Sequence, residues 1–141
     1  MEKIQKIFIM VTLIFLTISI HTVIAKNASS SQNDHWQAPA SARNTQNPML
    51  NNQKAVEAGA TLFKQQCATC HGSAGKGDGP ASQFLGKPVP NLTSDQVQNQ
   101  TDGELFWKIS NGNAPMPTFK ASLTDEQRWQ VITFLRNLKS K

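Results

Sequence analysis

Apolar residues recur at three- and four-residue spacing from about Asn52 onwards, and this spacing is typical of amphipathic helices. The first such stretch runs up to Cys67, and its apolar positions are Ala55, Val56, Gly59, Leu62 and Phe63. No part of the chain shows a sustained alternation of apolar and polar residues, which is the pattern of a half-buried strand. The pattern therefore predicts an all-α protein.

A second helix is predicted after Thr101-Asp102-Gly103-Glu104, which has the form of a capping box. In this motif the Thr and Glu side chains each accept a hydrogen bond from the other's backbone N–H. Leu105, Phe106 and Ile109 supply the apolar face of the helix, and Asn111-Gly112 ends it.

A third main helix is predicted at the C-terminal end. The segment Leu123-Thr124-Asp125-Glu126-Gln127 repeats the capping pattern. The apolar stripe that follows consists of Val131, Phe134, Leu135 and Leu138.

Residues 72–100 separate the first helix from the second and are predicted to be irregular, with five Gly and three Pro. A loop of this length inside a compact domain normally serves a function. We expect it to wrap a ligand. The predicted architecture is thus three main helices joined by long Gly- and Pro-rich loops.

Residues 1–25 have the layout of a secretory signal peptide. A short charged region with Lys3 and Lys6 precedes an apolar run from Ile7 to Ile20, and Ala25 offers a small residue at a cleavage point. The alternative is an uncleaved membrane anchor, because the 19 residues from Ile7 to Ala25 are long enough to cross a bilayer. Both interpretations predict export, with the rest of the chain in the periplasm, free or tethered to the membrane by the N-terminus.

Residues 26–51 are rich in Ser, Asn, Gln and Ala and show little apolar periodicity, which predicts a polar arm or linker. Trp36 fits two interpretations, an aromatic that pins the arm to the domain or a lone exposed side chain. The domain itself is predicted to span residues 52–141.

The formal net charge of +5 changes this picture little. The Lys and Arg residues are scattered singly, whereas a nucleic-acid-binding surface clusters them on one face. We therefore expect no nucleic-acid partner. A weakly basic surface favours partner proteins with acidic docking patches, in an association that salt weakens.

The segment Cys67-Ala68-Thr69-Cys70-His71 carries the candidate chemistry. Two thiols three positions apart at a helix end can form thioethers with the two vinyl groups of a haem, and a His directly after the second Cys is then held beneath the iron. A disulfide would leave His71 unexplained, and a thioredoxin-like pair needs a βαβ context. A zinc site needs four ligands, and the exported chain has two Cys and two His.

From about Asn52 to Lys141 the sequence resembles the class I (mitochondrial-like) cytochrome c family, in its bacterial exported branch. The resemblance rests on features in matching order: Gly59 and Phe63, the Cys67–His71 motif, Gly77-Asp78-Gly79-Pro80, Pro90-Asn91-Leu92, Met116-Pro117 and the aromatic final helix. It implies the class I cytochrome c fold, with three main helices and long loops around one covalently bound haem c.

Met116 is the favoured sixth ligand of the iron. Once the signal peptide is removed, Met49 and Met116 are the remaining methionines, and Met49 lies in the predicted arm. Met116 is presented between Pro115 and Pro117, which stiffen its loop, and it matches the Met-loop of the family. His35 is a rival ligand, and an open five-coordinate iron is the remaining alternative.

The resemblance also implies supporting roles. Pro90 resembles the proline whose carbonyl accepts a hydrogen bond from the proximal His, with Pro80 as a substitute. Trp107 could reach a haem propionate through its indole N–H or serve as a core aromatic.

A second implication concerns helix packing. Gly59 and Phe63 resemble the pair that lets the first helix cross the last closely, and Val131 and Phe134 would be their partners.

Ligation by one His and one Met leaves no open position on the iron, which favours electron transfer over oxygen chemistry, so we predict no enzymatic activity. Thioether ligation predicts a positive reduction potential. The first hypothesis is an electron shuttle between exported or membrane redox proteins. The second is a dedicated haem subunit of an oxidase, reductase or dehydrogenase complex, and the third is a gas-binding haem sensor. The chain would accordingly be a monomer or one subunit of a redox complex.

Overall fold

The computed structural model describes residues 36–138, and within them the regular structure is helical. Five α-helices follow in chain order: α1 (Gln53–Gln66), α2 (Ala68–His71), α3 (Asp95–Gln98), α4 (Asp102–Asn111) and α5 (Asp125–Leu138). Two 3₁₀ turns, Ala40–Asn44 and Ser82–Phe84, complete the order. The three main predicted helices correspond to α1, α4 and α5. None of the helices between residues 36 and 138 is long and apolar enough to cross a membrane.

Helices α1 and α5 form the main packing contact of the fold, and Gly59 lies where they meet. A Cβ atom on Gly59 would lie 2.0 Å from the backbone oxygen of Gln130, so only Gly permits this approach. One turn later, the Phe63 ring lies 5.3 Å from the Phe134 ring. Val131 is buried in the same core. The expected crossing of the first and last helices is therefore confirmed.

Each main helix begins with a capping interaction. The Asn52 side chain accepts hydrogen bonds from the backbone N–H groups of the first turn of α1. The predicted capping box of α4 is present in both directions between Thr101 and Glu104. Thr124 and Gln127 form the same reciprocal pair at the start of α5.

The apolar faces of α1, α4 and α5 enclose one hydrophobic core. Its buried members are Phe63, Val97, Leu105, Ile109, Phe119, Leu123, Trp129, Val131, Ile132 and Leu135. Arg128 is also buried: its guanidinium lies 4.6 Å from the Phe106 ring centroid and donates to Ser110 and Asp125. Phe106 in turn stacks on Trp129 at 4.1 Å.

Residues 72–100 differ from the prediction of an irregular stretch, because they contain the 3₁₀ turn Ser82–Phe84 and helix α3. Both segments are a single turn long, and such lengths carry no apolar periodicity. Val97 of α3 is buried in the core, so tertiary packing rather than local pattern stabilises this turn.

Residues 37–51 also differ from the predicted linker, because they pack against α4 within the compact unit that begins at Gln37. Ala42 is buried, and a Cβ atom on Gly103 would lie 2.0 Å from its carbonyl oxygen. The Asn47 side chain donates to Asp102 and to Thr133, at 2.7 and 3.1 Å. The compact unit thus begins at Gln37, before the domain boundary that the sequence predicted at Asn52. Residues 37–51 make their contacts through small and polar side chains, so their sequence has no hydrophobic periodicity. The predicted signal peptide, the first part of the arm and His35 lie outside the described residues.

Candidate functional site

The residues Cys67 to His71 form one helical turn at the end of α1. The Cys67 backbone N–H donates to the Phe63 carbonyl at 2.9 Å, and the His71 N–H donates to the Cys67 carbonyl at the same distance. Residues three and four apart on a helix lie on one face. The turn therefore directs Cys67, Cys70 and His71 to the same side of the chain.

The loop after this turn is bonded to it through the backbone. The N–H groups of Gly77, Gly79 and Ala81 donate to the carbonyls of His71, Cys70 and Thr69, at 2.8, 3.2 and 2.9 Å. The loop also packs tightly, since a Cβ atom on Gly79 would lie 2.4 Å from the Thr69 carbonyl oxygen. The first part of residues 72–100 thus immobilises the motif.

Both cysteines are unpaired thiols. Burial, together with the neighbouring Cys70, raises the pKa of Cys67 from 9.0 to about 12. Catalytic redox cysteines have lowered pKa values, since the thiolate is the reactive form. The environment of Cys67 is therefore the opposite of a thiol–disulfide exchange site. Within residues 36–138, no group of three or more His, Cys, Asp and Glu side chains is arranged to hold a metal ion.

His71 is half-buried, and its Nδ1 atom is fully buried without a hydrogen-bond partner. Burial lowers the pKa of His71, and the adjacent Pro90 carbonyl opposes this shift. The Pro90 carbonyl is close enough to favour the protonated imidazole of His71, but Nδ1 does not form a hydrogen bond of ordinary geometry with it. The Pro80 carbonyl instead accepts from the Gln83 amide at 3.4 Å, which favours Pro90 as the neighbour of the imidazole.

Met116 lies in a short loop that α4 holds. Asn113 and Met116 bond to each other through both backbone N–H groups, at 3.0 and 2.9 Å. The Thr118 hydroxyl donates to the Ser110 carbonyl at 2.6 Å, and the Phe119 N–H donates to the Ile109 carbonyl at 3.1 Å. The Met116 side chain packs against the hydrophobic core, as does Cys67.

Two other predicted residues have surroundings that the sequence did not indicate. Met49, the rival thioether, also packs against the core. Trp107 borders an open groove of about 570 Å³ between the 37–45 segment and α4, whose lining includes none of Cys67, Cys70, His71 and Met116. The propionate contact of Trp107 stays a prediction.

Sequence reasoning missed Lys87. Its Nζ donates to the Ala114 carbonyl at 3.0 Å and so connects the loop after the motif to the Met116 loop. The two residues are 27 positions apart, and a hydrogen bond from a lysine to a backbone carbonyl has no characteristic sequence motif.

The donor set fits a covalently attached haem. Two unpaired thiols three positions apart suit two thioether bonds. A histidine that binds a metal uses one ring nitrogen and turns the other toward a carbonyl or a carboxylate. The buried Nδ1 atom of His71 and the nearby Pro90 carbonyl fit this second role. A second candidate ligand, the partly buried Met116 side chain, packs against the same core as Cys67.

Solved structures with this fold are c-type cytochromes or complexes of redox proteins. The chain superposes on a chain of the Kuenenia stuttgartiensis reducing HAO-like protein complex Kustc0457/Kustc0458 with a TM-score of 0.57 and 25% identity, over 64% of this chain and 46% of that one. It superposes on the KustC0563 c-type cytochrome with a TM-score of 0.51 and 28% identity, over 57% of this chain and 96% of that one. The helical fold and the motif thus define a class I c-type cytochrome with covalently bound haem c.

The particular family follows from sequence comparison. The model of the family Cytochrome C oxidase, cbb3-type, subunit III matches residues 54–135, more than half of the chain, and the protein belongs to this family. The predictions of fold class, cofactor and electron transport are thereby confirmed.

The relatives include subunits of cbb3-type cytochrome c oxidases and cytochromes c6. The chain is 30% identical to the cbb3-type cytochrome c oxidase subunit FixP of Rhizobium meliloti, over 86% of this chain and 43% of the relative. It is 34% identical to FixP of Sinorhizobium medicae, over 65% of this chain and 32% of the relative. It is 25% identical to cytochrome c6 of Parathermosynechococcus lividus, over 59% of this chain and 90% of the relative. The chain therefore spans less than half of the length of either FixP subunit.

Proposed function

We propose that this protein is a monohaem electron carrier that passes single electrons between redox proteins outside the cytoplasm. Cys67 and Cys70 would hold the haem through thioethers, and His71 and Met116 would bind its iron. The observation that carries the proposal is the helical turn from Cys67 to His71, which brings two unpaired thiols to the same side of the chain as an imidazole. Export rests on the signal-like residues 1–25.

When bound, the haem supplies an iron that alternates between the ferric and ferrous states. The residues of the chain hold, orient and shield it. His71 would bind the iron, and the Pro90 carbonyl beside the imidazole would orient the ring and increase its basicity. Met116 would be the second ligand and would keep water and oxygen from the iron. The protein itself then catalyses no reaction of a substrate.

A second candidate is a haem subunit of a larger oxidase or related redox complex. It is favoured by the family match and by relatives that are oxidase subunits. The carrier role is favoured by cytochrome c6, of which the chain matches 90%. The two functions differ in one property: a carrier is isolated alone, whereas a subunit is isolated in a stable complex.

The test of the proposed site is the optical spectrum of the oxidised haem protein. We expect the weak charge-transfer band near the red end of the spectrum that indicates thioether ligation, and we expect it to disappear in Met116→Ala. Met49→Ala is the matched control, because Met49 is the other methionine that packs against the core, and this variant should keep the band. Rapid binding of carbon monoxide by the reduced wild type, together with a missing band, would instead indicate an open iron and a sensor.

A further inference from the structure

The loop that carries Met116 is fixed at both ends by α4. The Gly112 N–H donates to the Lys108 carbonyl at 2.9 Å before the tip, and the Phe119 N–H donates to the Ile109 carbonyl at 3.1 Å after it. Between these anchors, Asn113 and Met116 bond only to each other through the backbone. The exposed tip at Ala114 and Pro115 therefore needs a separate contact to hold it against the rest of the protein.

Lys87 supplies that contact, since its Nζ donates to the Ala114 carbonyl at 3.0 Å. Lys87 precedes Pro88, and Pro90 follows two residues later, so two residues with a fixed φ restrict this segment. The ammonium group is thus presented from a segment with few accessible conformations.

The segment that carries Lys87 lies beside His71. The Gly77 N–H donates to the His71 carbonyl at 2.8 Å, and a Cβ atom on Gly77 would lie 2.2 Å from the Val89 carbonyl oxygen. The next carbonyl, that of Pro90, acts on the His71 imidazole. Lys87 therefore joins the chain segment that surrounds His71 to the loop that carries Met116.

We propose that Lys87 is a positioning residue for Met116, and that its hydrogen bond to the Ala114 carbonyl holds the thioether on the iron. The inference rests on the proposed function, because it takes His71 and Met116 as the axial ligands. An iron–thioether bond is weak, so the equilibrium between bound and displaced Met116 depends on how much freedom the loop has. The Lys87 hydrogen bond at the loop tip raises the free energy of the state with Met116 displaced relative to the state with Met116 bound.

The proposal predicts how easily an external ligand displaces Met116. The full-length haem protein is titrated with imidazole in the oxidised state, and binding is followed by the loss of the red-end band. Lys87→Met keeps the length of the side chain and removes the donor. We expect this variant to bind imidazole about 2- to 10-fold more tightly than the wild type, the range that one net hydrogen bond supports. Lys87→Arg keeps a donor and should restore the affinity of the wild type.

The matched control is Lys76→Met, which removes the same charge from an exposed position of the same loop and should leave imidazole affinity unchanged. A second readout is amide hydrogen exchange at Asn113 and Met116 in the reduced protein, which should become faster in Lys87→Met alone. Equal imidazole affinity in Lys87→Met and Lys76→Met would overturn the proposal. So would a Lys87→Arg variant that behaves like Lys87→Met.

Failure of the proposed function has a different signature. If the oxidised wild type lacks the thioether band, Met116 is not a ligand, and both proposals are wrong. If the wild type has the band and Lys87→Met matches it in the titration and in hydrogen exchange, Met116 ligation stands and the role of Lys87 alone is rejected.

Discussion

The side chains of Cys67, Cys70 and His71 point to one side because a single helical turn, bonded at both ends, contains them. The carbonyls of that turn accept hydrogen bonds from the backbone N–H groups of Gly77, Gly79 and Ala81. Burial raises the pKa of the Cys67 thiol, so Cys67 lacks the lowered pKa that is typical of a redox-active or nucleophilic cysteine.

The ionisation of Glu104 is linked to stability because its pKa differs from the ordinary value. Burial alone would raise its pKa, but hydrogen bonds from Thr101 and the Arg43 side chain outweigh burial and hold the pKa below 4.5. The Arg43 Nε atom lies 2.9 Å from the Glu104 carboxylate. Between pH 4.5 and the lower native pKa, the unfolded chain therefore binds more protons than the folded one, and stability falls as the pH falls.

We predict that Glu104→Gln lowers the free energy of unfolding at neutral pH by about 0.5–1 kcal/mol. Glutamine still accepts the capping hydrogen bond, so the loss is that of a carboxylate charge beside the N-terminus of α4 and the partly exposed Arg43. The difference from the wild type should shrink as the pH falls below about 4.5, because protonation of Glu104 removes the same interactions in the wild type. Urea unfolding of both proteins across this range measures it. A difference that does not change with pH would contradict the assigned ionisation.

At the scale of elements, the fold depends on the close approach of α1 and α5. Gly59 permits the approach, and the Phe63 and Phe134 rings fill the space one turn away. Because Cys67 follows the last residue of α1, this crossing also sets the position of the haem-attachment turn relative to the core.

We predict that Gly59→Ala lowers the free energy of unfolding by about 1–3 kcal/mol through overpacking. Its Cβ atom would meet the Gln130 carbonyl oxygen at 2.0 Å, a cost that exceeds the gain of about 1 kcal/mol in helix propensity. Chemical denaturation of the haem protein provides the measurement. Thr61→Ala, on the exposed side of α1, is the control and should change stability by less than about 0.5 kcal/mol. Equal stability of the two variants would show that the helices can separate at no cost.

At the scale of the whole molecule, the folded unit is larger than the part that resembles cytochrome c. Residues 37–51 pack on α4, and Asn47 connects them to both α4 and α5 through Asp102 and Thr133. Arg136 of α5 donates to the same Asp102 at 2.7 Å. Three segments distant in sequence therefore meet at one carboxylate.

We predict that Asn47→Ala destabilises the protein by about 1–3 kcal/mol, because it removes two part-buried hydrogen bonds, to Asp102 and to Thr133, each of which contributes about 0.5–1.5 kcal/mol. Gln46→Ala changes the exposed neighbouring residue and should have little effect. Thermal and urea unfolding of both variants test this. If Asn47→Ala proves as stable as Gln46→Ala, residues 37–51 act as the linker that their composition suggests.

The three main helices, the capping motifs of α4 and α5 and the Cys67–His71 motif were predictable from the sequence. Each of these depends on residues within one or two helical turns of each other, such as Thr101 with Glu104 or Cys67 with His71, so the relevant interactions appear as a local pattern. The resemblance to the cytochrome c family added two predictions, the helix crossing at Gly59 and the position of the Pro90 carbonyl beside His71.

The groups that complete the fold from distant parts of the chain could be identified only from the packed helices. Lys87 reaches Ala114 across 27 residues, and Asn47 reaches Thr133 across 86. Such contacts join single polar groups whose positions depend on how the helices pack. They therefore produce no periodic pattern in the local sequence. The short helix α3 and the docked residues 37–51 escaped prediction for the same reason, since their stability comes from burial against elements that are distant in sequence.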